Sequence, residues 1–243
     1  MKKAYFNWST GKDSALALHY LMQDKDYSVE HLLTSVNAQH NRVSMHGLRR
    51  ELLELQLNEL GLPHSTIELP EQPSMQEYES LMEKEVSGLQ QRGFTHAAFG
   101  DIFLEDLRKY REQKLAVLQI KSVFPLWKRD TKELLTEFID LGFKSILVCI
   151  KADLLDPAFA GRIIDADFIK DLPSNVDVCG ENGEFHTFCF DGPIFKNPVS
   201  FEIGEKVYRE YQSPKTDTDS CSTQPVKSNS GFWFCDLLPL ANS

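Results

Sequence analysis

The feature that most constrains the fold is a regular alternation of short β-rich runs with amphipathic helical runs over residues 1–150. The predicted strands are 4–8, 29–36, 65–69, 96–100, 121–124 and 143–150. The predicted helices are 14–22, 46–60, 74–92, 104–119 and 130–142. Strands and helices that alternate at this spacing form a parallel sheet with helices on its faces. The sequence therefore predicts an α/β, Rossmann-like domain over residues 1–151.

Two of the predicted helices carry capping signals at their N-termini. Ser74 is followed three residues later by Glu77, and Asp130 is followed at the same spacing by Glu133. In such a pair the first side chain accepts a hydrogen bond from a free helix amide, and the carboxylate reaches back to the cap. These pairs predict helix starts at residues 74 and 130.

The pattern changes after residue 151. Residues 156–171 are predicted to be helical and residues 176–211 to form short strands and turns. We expect residues 152–211 to form a smaller, mixed α/β domain that binds the substrate.

Residues 212–243 are predicted to be a flexible linker followed by an apolar tail. Residues 212–231 hold five serines, three threonines, two prolines and no aromatic residue. That composition is typical of a linker or a disordered segment. The run at 232–235, Phe-Trp-Phe-Cys, is too apolar to remain in solvent. We expect it to dock on its own domain, with a partner or a second subunit as the alternative.

Charge and composition exclude several classes of partner. The net charge is −10, and binding to a nucleic-acid duplex needs clustered cations, so nucleic acid is not expected as a partner. The chain has no run of 18 apolar residues, so no membrane span is expected. The five cysteines form no Cys-x-x-Cys pair and indicate free thiols in the cytoplasm. The seven histidines lack metal-ligand spacing, so the sequence leaves any metal site unknown, and it leaves a homo-oligomer open.

Residues 9–14, with the sequence Ser-Thr-Gly-Lys-Asp-Ser, lie between the first predicted strand and the first predicted helix. At this edge of a parallel sheet, free amides and the macrodipole of the helix favour an anion. Gly11 lets the backbone approach a phosphate, Ser9 and Ser14 offer hydroxyl donors, and Lys12 adds a positive charge. The pattern is neither a Walker A loop nor a dinucleotide fingerprint. We call this predicted phosphate site the 9–14 loop.

Asp13 is unexpected beside a phosphate, because two negative charges repel each other. We expect it to serve the helix start or to be linked to a magnesium ion. The alternative is that the 9–14 loop is an ordinary helix start with Ser9 or Thr10 as its N-cap.

A second candidate site is the segment 180–187, which reads Gly-Glu-Asn-Gly-Glu-Phe-His-Thr. Two glycines bend its backbone, so the carboxylates of Glu181 and Glu184 can converge on one ligand. Carboxylates in this arrangement can hold an ammonium or a magnesium ion, or accept a proton. The alternative is a glycine-rich hairpin with exposed acidic side chains.

Further candidates lie near the ends of other predicted strands. Gly100 and Asp101 follow the fourth strand and face the binding edge, although Asp101 can instead cap the next helix. His46 is a candidate ligand contact or a plain N-terminal helix residue. Lys109 to Arg111 are expected on a solvated helix face.

These motifs carry a family resemblance. The 9–14 loop resembles the Ser-Gly-Gly-x-Asp-Ser loop of the PP-loop ATP pyrophosphatases, with Thr10 in place of a glycine. The segment 180–187, followed by Asp-Gly-Pro at 191–193, resembles a segment of the diphthine–ammonia ligase family. The sequences at 99–102 (Phe-Gly-Asp-Ile) and 125–127 (Pro-Leu-Trp) agree with the same family. The resemblance covers about residues 3–211.

The resemblance implies a fold, a reaction and a set of site residues. The fold is similar to that of the adenine nucleotide alpha hydrolases. The reaction adenylates a carboxylate with ATP and Mg²⁺, releases pyrophosphate, and transfers ammonia from free ammonium. Together with the local sequence pattern, the resemblance implies that ATP is bound by Ser9, Thr10, Gly11, Lys12, Asp13, Ser14, His46, Gly100 and Asp101. It assigns the substrate to Gly180, Glu181, Asn182, Gly183, Glu184, His186 and Thr187, with Lys12, Glu181 and Glu184 as catalytic residues.

The sequence departs from the family at Asn182, which replaces a glycine, and at His186, which replaces a glutamate. The family acts on a modified histidine of a translation elongation factor. Because His186 changes the substrate segment, another small carboxylate, such as a corrinoid precursor, is an alternative substrate. Modification of tRNA is a further alternative, which the acidic net charge disfavours. A non-catalytic ATP-binding module of the universal-stress type is a third, which would have no need of the acidic segment 180–187.

Overall fold

The structure, a computed structural model, describes residues 1–44, 46–211 and 230–240. The strands of its first sheet are β1 Lys2–Asn7, β2 Tyr27–Asn37, β3 Arg42–Val43, β4 His64–Leu69, β5 His96–Ala98 and β6 Lys121–Val123. β2 pairs with β1 and β4, and β5 lies between β1 and β6, all in parallel. β3 is antiparallel to the end of β2. The predicted Rossmann-like parallel sheet is confirmed.

The helices that follow these strands are α1 Lys12–Gln23, α2 Arg50–Leu60, α3 Met75–Gln91, α4 Glu105–Val117 and α5 Thr131–Asp140. Both predicted N-terminal caps are confirmed. The Ser74 side chain accepts from the backbone N–H of Glu77, whose carboxylate reaches back to Ser74. The Asp130 side chain accepts from the N–H of Glu133. These hydrogen bonds satisfy amides that a helix start otherwise leaves free.

The core lies on both faces of the first sheet, because successive side chains of a strand point to opposite faces. Tyr5 and Phe6 of β1 are both fully buried. Tyr5 packs in a cluster with Val86 and Leu89 of α3. Phe6 belongs to a second cluster that contains the leucines of α1 and α2 and extends into the second sheet.

The second sheet contains β7 Lys144–Lys151, β8 Phe185–Asp191, β9 Phe201–Tyr211 and β10 Ser230–Pro239. Its order is β8-β7-β10-β9, and its pairs are antiparallel. The strand predicted at 143–150 is β7, which therefore leaves the parallel sheet. The apolar run 232–235 lies in β10, so the expectation that it docks within its own chain is confirmed.

The prediction of a helix over 46–60 is wrong at its start. Helix α2 begins at Arg50. The N–H of Gly47 donates to Val43, and the N–H of Val43 donates to Leu48. The backbone groups before α2 thus form the hydrogen bonds of a tight loop and not those of a helix. Gly47 also has a φ of 67°, outside the helical region.

The prediction of one helix over 156–171 is also wrong. The structure has a single 3₁₀ turn at Pro157–Phe159 and a short helix, α6, at Ala166–Asp171. Between them the N–H of Gly161 donates to Leu147, and the N–H of Ile164 donates to Ser145. These backbone groups pair with the first half of β7, so they are not available to a helix.

The predicted linker falls almost wholly on residues outside the described ranges. Within those ranges, no helix combines the length and apolarity that a membrane crossing needs. The domain boundaries at 151–152 and 211–212 remain predictions. β7, before the first boundary, pairs with β8 and β10, which follow it.

Candidate functional site

The 9–14 loop connects β1 to α1 at the carboxyl edge of the parallel sheet. Thr10 turns the backbone with a φ of 74°, and Gly11 is the N-cap of α1. The hydroxyl oxygens of Ser9 and Ser14 lie 2.6 Å apart, and Ser14 Oγ accepts from the backbone N–H of Ser9 at 3.2 Å. The two hydroxyls are thus together at the anion-binding end of a helix.

Gln56 supports the turn at Thr10. A β-branched residue with positive φ is strained, and the backbone around Thr10 is held by hydrogen bonds. The Thr10 carbonyl accepts from the N–H of Cys189 at 2.9 Å and from Gln56 Nε2 at 3.1 Å. Gln56 Oε1 accepts from the Trp8 indole at 2.7 Å. Sequence reasoning misses Gln56, because one glutamine in an amphipathic helix gives no signal.

Thr187 of β8 contacts the start of α1. Its hydroxyl accepts a hydrogen bond from the backbone N–H of Lys12 at 3.0 Å. A Cβ at Gly11 would lie 3.2 Å from Thr187 Oγ1, which is tighter than an ordinary contact, so the close approach of β8 to the loop favours glycine at this position. The Thr187 hydroxyl therefore lies where an anion bound at the helix start would place an oxygen.

The Lys12 ammonium is buried between the two predicted motifs. Its side chain is 3% exposed and forms an ion pair with Asp13, at 2.7 Å to Oδ2. It also donates to the backbone carbonyl of Cys179. Burial opposes the charged form, but Asp13, Cys179 and Glu181 together raise the pKa of Lys12 above its ordinary value. Burial also raises the pKa of Asp13, although Lys12 opposes that shift.

The loop that precedes β8 is organised by two carboxylates. Asp177 accepts from the Thr131 hydroxyl at 2.7 Å and from the N–H groups of Cys179 and Glu181, both at 3.1 Å. Glu184 is 3% exposed. It accepts from the N–H of Asp177 at 3.0 Å, and from the N–H and side-chain amide of Asn182 at 2.9 and 3.0 Å. Sequence reasoning misses Asp177, which lies before the recognisable motif.

Glu181 extends from this loop toward the first sheet. Its carboxylate accepts from the N–H groups of Ile102 at 2.7 Å and Phe103 at 3.3 Å. Burial, and then the charge of Asp13, raise the pKa of Glu181 to about 7, although the two amides and Lys12 oppose the shift. A carboxyl group with such a pKa can exchange a proton at neutral pH.

Gly100 and Asp101 lie at the end of β5, beside the start of α1. A Cβ at Gly100 would lie 2.9 Å from the backbone of Asp13 and Ser14, so the approach requires a glycine. Asp101 pairs with Arg111, at 2.9 Å between Oδ2 and Nε. Burial raises the pKa of Asp101, although Arg111 opposes this. The prediction that Arg111 faces solvent is wrong, because it also packs over the Phe99 ring.

His46 and His186 form a stacked pair above the 9–14 loop. Their ring centroids are 4.9 Å apart, with an interplanar angle of 28°. His46 Nδ1 lies 3.1 Å from the Thr187 carbonyl and 3.2 Å from the Thr10 hydroxyl. Burial is the main cause that lowers the pKa of His46 to about 3 and that of His186 to about 4. Both imidazoles are therefore neutral at neutral pH.

The structure brings the two predicted motifs into one site. Gly180 and Gly183 have positive φ, as the predicted bends require, and Asn182 is exposed at the rim of its loop. In the described part of the chain, no group of three or more His, Cys, Asp or Glu side chains is placed to hold a metal ion. The site is thus a phosphate-type helix start covered by an acidic loop and two neutral imidazoles.

A wide cleft lies elsewhere and is not assigned a function. It measures about 640 Å³ and runs along α5, lined among others by Asp130, Glu133 and Asp140. It contains none of the predicted site residues.

Two family models match the chain. The diphthamide synthase N-terminal domain matches residues 1–121, and the diphthamide synthase C-terminal domain matches residues 130–215. The first contains the 9–14 loop and the second contains the segment 180–187. The chain belongs to the diphthamide synthase family. The resemblance that the two motifs carry is thereby confirmed for this diphthamide synthase family member.

Curated relatives of this family member are similar over part of their length. A diphthine–ammonia ligase of Danio rerio is 33% identical over 110 residues, which are 43% of this chain and 43% of that protein. A diphthine–ammonia ligase of Homo sapiens is 30% identical over 110 residues, 43% of this chain and 41% of that protein. Because the match spans less than half of these relatives, their activity is carried to this chain only as a proposal.

Among solved structures, the U34-tRNA thiolase NcsA from Methanococcus maripaludis with its [4Fe-4S] cluster has a TM-score of 0.35 to this diphthamide synthase family member. The two are 18% identical, and the similarity covers 58% of this chain and 57% of the thiolase. The fold assignment rests on the strand order described above.

Proposed function

We propose that this diphthamide synthase family member is a ligase that joins ammonia to a substrate carboxylate and cleaves ATP to AMP and pyrophosphate. The contact between its two motifs carries the proposal. Lys12 of the 9–14 loop donates through its ammonium to Cys179 and through its backbone N–H to Thr187. A phosphate-type helix start and an acidic loop thus lie side by side, as a reaction between a nucleotide and a second substrate requires.

The reaction proceeds in two steps. A carboxylate oxygen attacks the α-phosphorus of ATP, the bond to the bridging oxygen breaks, and pyrophosphate leaves with the electron pair. The lone pair of ammonia then attacks the acyl carbon, and AMP leaves. The nitrogen loses one proton, and a neutral amide remains.

The residues proposed to bind ATP are Ser9, Thr10, Gly11, Lys12, Asp13, Ser14, His46, Gly100 and Asp101. The hydroxyls of Ser9 and Ser14, which are 2.6 Å apart, donate to the leaving pyrophosphate together with the amides at the start of α1. Lys12 offsets the charge that develops on the leaving group, and its burial makes that charge more effective than it would be in water.

The carboxylates around the site support the proposal that ATP binds as its magnesium complex. Burial is the main cause that raises the pKa values of Asp13, Asp101 and Glu181. The charge of Asp177 adds to the shift of Asp13, and the charge of Asp13 adds to the shifts of Asp101 and Glu181. A triphosphate placed among these groups is repelled unless a cation accompanies it. A magnesium ion that accompanied ATP, with Asp13 as its candidate carboxylate, would supply that charge and would polarise the α-phosphate.

Glu181 is proposed to accept the proton that the ammonia nitrogen loses. Its pKa of about 7 leaves a large fraction of the carboxylate ionised at neutral pH. The rest of the substrate site comprises Gly180, Asn182, Gly183, Glu184, His186 and Thr187. Within this set, the contacts of Glu184 favour a role in shaping the loop, because its oxygens accept hydrogen bonds from Asp177 and Asn182.

The proposed acceptor is diphthine, after which the curated relatives are named, with ammonia as the nitrogen donor. A diphthine acceptor is part of a protein, so the acidic loop must be open to a large partner. We place the protein in the cytoplasm, because Cys149, Cys179, Cys189 and Cys235 are free thiols, as a reducing compartment requires.

The proposal is tested by product analysis. The protein is incubated with ATP, magnesium and ammonium, and with either a diphthine-bearing elongation factor or a panel of small carboxylates. Nucleotides are separated by chromatography. We expect AMP and pyrophosphate in equal amounts, only when the correct acceptor is present. Release of ADP and phosphate would refute the adenylation step, and turnover with a small carboxylate alone would replace diphthine as the acceptor.

A lysine variant tests the site itself. Lys12→Met keeps an unbranched side chain, one heavy atom shorter, and removes its charge, and should lower the rate of AMP formation about 100-fold or more. Lys170→Met is the matched control, because Lys170 forms an exposed ion pair with Asp167 on α6. Both variants are checked for folding by thermal unfolding. A folded Lys12→Met protein with the wild-type rate would remove this lysine from the mechanism.

A further inference from the structure

The loop that carries His46 is closed at its base by two arginines. Arg42 and Arg49 form an isolated antiparallel bridge, and between them the N–H of Val43 donates to the carbonyl of Leu48 at 2.8 Å. His46 lies at the opposite end of this hairpin. We call residues 42–49, of which residue 45 lies outside the described ranges, the His46 loop.

One carboxylate of the second sheet binds both arginines. Asp236 of β10 accepts from Arg42 Nη1 at 2.9 Å and from Arg49 Nη2 at 2.6 Å. Arg42 Nη1 also donates to the Gly47 carbonyl at 2.5 Å. Burial opposes the charge of Asp236, but Arg49 and Arg42 lower its pKa below the ordinary value. Asp236 therefore remains charged at neutral pH and ties the base of the His46 loop to β10.

β10 also supports the loop by direct packing. A Cβ at Gly47 would lie 3.0 Å from the Phe234 ring, so β10 approaches the loop at van der Waals distance. Residues 230–240 lie outside both family models, which match residues 1–121 and 130–215. The support of the His46 loop thus comes from a strand outside the residues that the family models match.

The other end of the loop contacts the proposed ATP site. His46 Nδ1 lies 3.1 Å from the Thr187 carbonyl, and because a carbonyl can only accept, Nδ1 carries the proton. The Cε1 of the same ring would lie 3.1 Å from a Cβ at Gly11. The ring therefore covers the 9–14 loop in one tautomer and one orientation.

We propose that Asp236 is a positioning residue that holds His46 against the 9–14 loop, so that the affinity for ATP depends on β10. The part of this proposal that concerns ATP rests on the proposed function. The part that concerns the imidazole does not. Asp236 touches no substrate in this arrangement and acts through the arginines and His46.

Two variants with opposite changes of charge separate positioning from simple electrostatics. Asp236→Asn leaves two unpaired arginines, which by charge alone would attract ATP more strongly. Arg49→Gln removes a positive charge, which by charge alone would weaken ATP binding. Asp236→Asn breaks both ion pairs, and Arg49→Gln breaks one of them and leaves the pair between Arg42 and Asp236. Positioning therefore predicts a change in the same direction for both variants. Asp171→Asn is the matched control, since Asp171 pairs with Arg162 at 2.6 Å outside the site.

The first measurement is the histidine ring nitrogen spectrum by NMR, with the His46 signals assigned by their loss in His46→Gln. The Nδ1–H tautomer is expected in the wild type and in Asp171→Asn, and its signature should be lost in Asp236→Asn and Arg49→Gln. The second is ATP binding by equilibrium dialysis with steady-state kinetics. Both variants should bind ATP about tenfold more weakly, with KM raised and kcat little changed.

An unchanged His46 tautomer in both variants would overturn the proposal, and so would ATP affinities that move in opposite directions. If Asp236→Asn does not fold, the His46 tautomer in Arg49→Gln, which alters a partly exposed side chain, decides the question, because the loss of a charge alone would leave the tautomer unchanged. If the wild-type protein binds no ATP, the proposed function fails, while the imidazole spectra still decide whether Asp236 positions His46.

Discussion

At the scale of single residues, Glu181 and Glu184 have the same side chain in different surroundings. Burial, and then the charge of Asp13, raise the pKa of Glu181 to about 7, although Lys12 opposes the shift. The Glu184 carboxylate accepts hydrogen bonds from Asp177 and Asn182 of its own loop. These surroundings favour Glu181 as the group that exchanges a proton and Glu184 as the group that shapes the loop.

The role of Glu181 predicts a pH dependence. A general base acts when deprotonated, and the deprotonated fraction of Glu181 rises as the pH passes its pKa. The rate constant kcat, measured at a fixed concentration of free ammonia, should therefore rise with pH and level off above about 7. Glu181→Gln should remove this rise and lower the plateau about 100-fold. A variant that kept the wild-type profile would exclude Glu181 as the base.

Glu184→Gln is the matched comparison for that experiment. It should retain the midpoint of the pH profile but lose about 1–3 kcal/mol of unfolding free energy, because a side-chain amide would place donors against the N–H groups of Asp177 and Asn182. The unfolding free energy is measured in urea. A variant with full stability and no activity would instead assign Glu184 to the chemistry.

At the scale of elements, the site depends on how closely β5 approaches the start of α1. Gly100 permits this approach, since a Cβ there would lie 2.9 Å from backbone atoms of Asp13 and Ser14. Backbone cannot move aside as a flexible side chain can, so any larger residue must push the two elements apart. The position of the helix start, and with it the direction of its free amides, is thus set by a residue of another element.

Gly100→Ala should therefore weaken ATP binding as well as stability. Overpacking of this kind costs about 1–3 kcal/mol, and displacement of α1 should raise the Kd for ATP. Gly88→Ala is the control, because Gly88 lies in α3 and a Cβ added there would have nothing within 4 Å. The control should gain about 0.5–1 kcal/mol from the helix propensity of alanine. Calorimetric titration with ATP checks the prediction, and equal affinity in the two variants would contradict it.

At the scale of the whole molecule, the sequence predicts local features better than distant contacts. The alternation of strands and helices is periodic and identifies the parallel sheet, and the 9–14 loop is recognisable because strand, loop and helix are consecutive. The apolar run of β7 would look the same in either sheet, so its place in the second sheet could not be predicted. Its pairing partners β8 and β10 are distant in sequence.

The candidate site shows the same limit. Both motifs could be found in the sequence, but their contact depends on β8 reaching α1, which no local pattern encodes. The hydrogen bonds that Gln56 donates to the carbonyls of Thr10 and Cys189 likewise join residues that are distant in sequence. The helix predicted from residue 46 began too early for a related reason. The apolar Leu48 fits the helical pattern, but it lies in the His46 loop, packs in the main apolar cluster and accepts a hydrogen bond from the N–H of Val43.

The same long-range contacts predict that the two sheets unfold together. One apolar cluster includes Phe6 of β1 and Phe188 of β8, and β7 pairs with strands beyond the predicted boundary at 151–152. Loss of either sheet would expose that shared core, so a partly folded state should be scarcely populated. In urea, the signals of Trp8 in the first sheet and Trp233 in the second should disappear at one midpoint.

Fluorotryptophan labelling makes this measurable without changing the core. The protein has three tryptophans, and each gives its own fluorine NMR signal. The signal of Trp127 is assigned by Trp127→Phe and the signal of Trp233 by Trp233→Phe, which leaves the third for the buried Trp8. Coincident transitions mean that the two sheets fold as one cooperative unit. Two separate midpoints would mean that the shared core contributes little and that the two sheets belong to independently folding units.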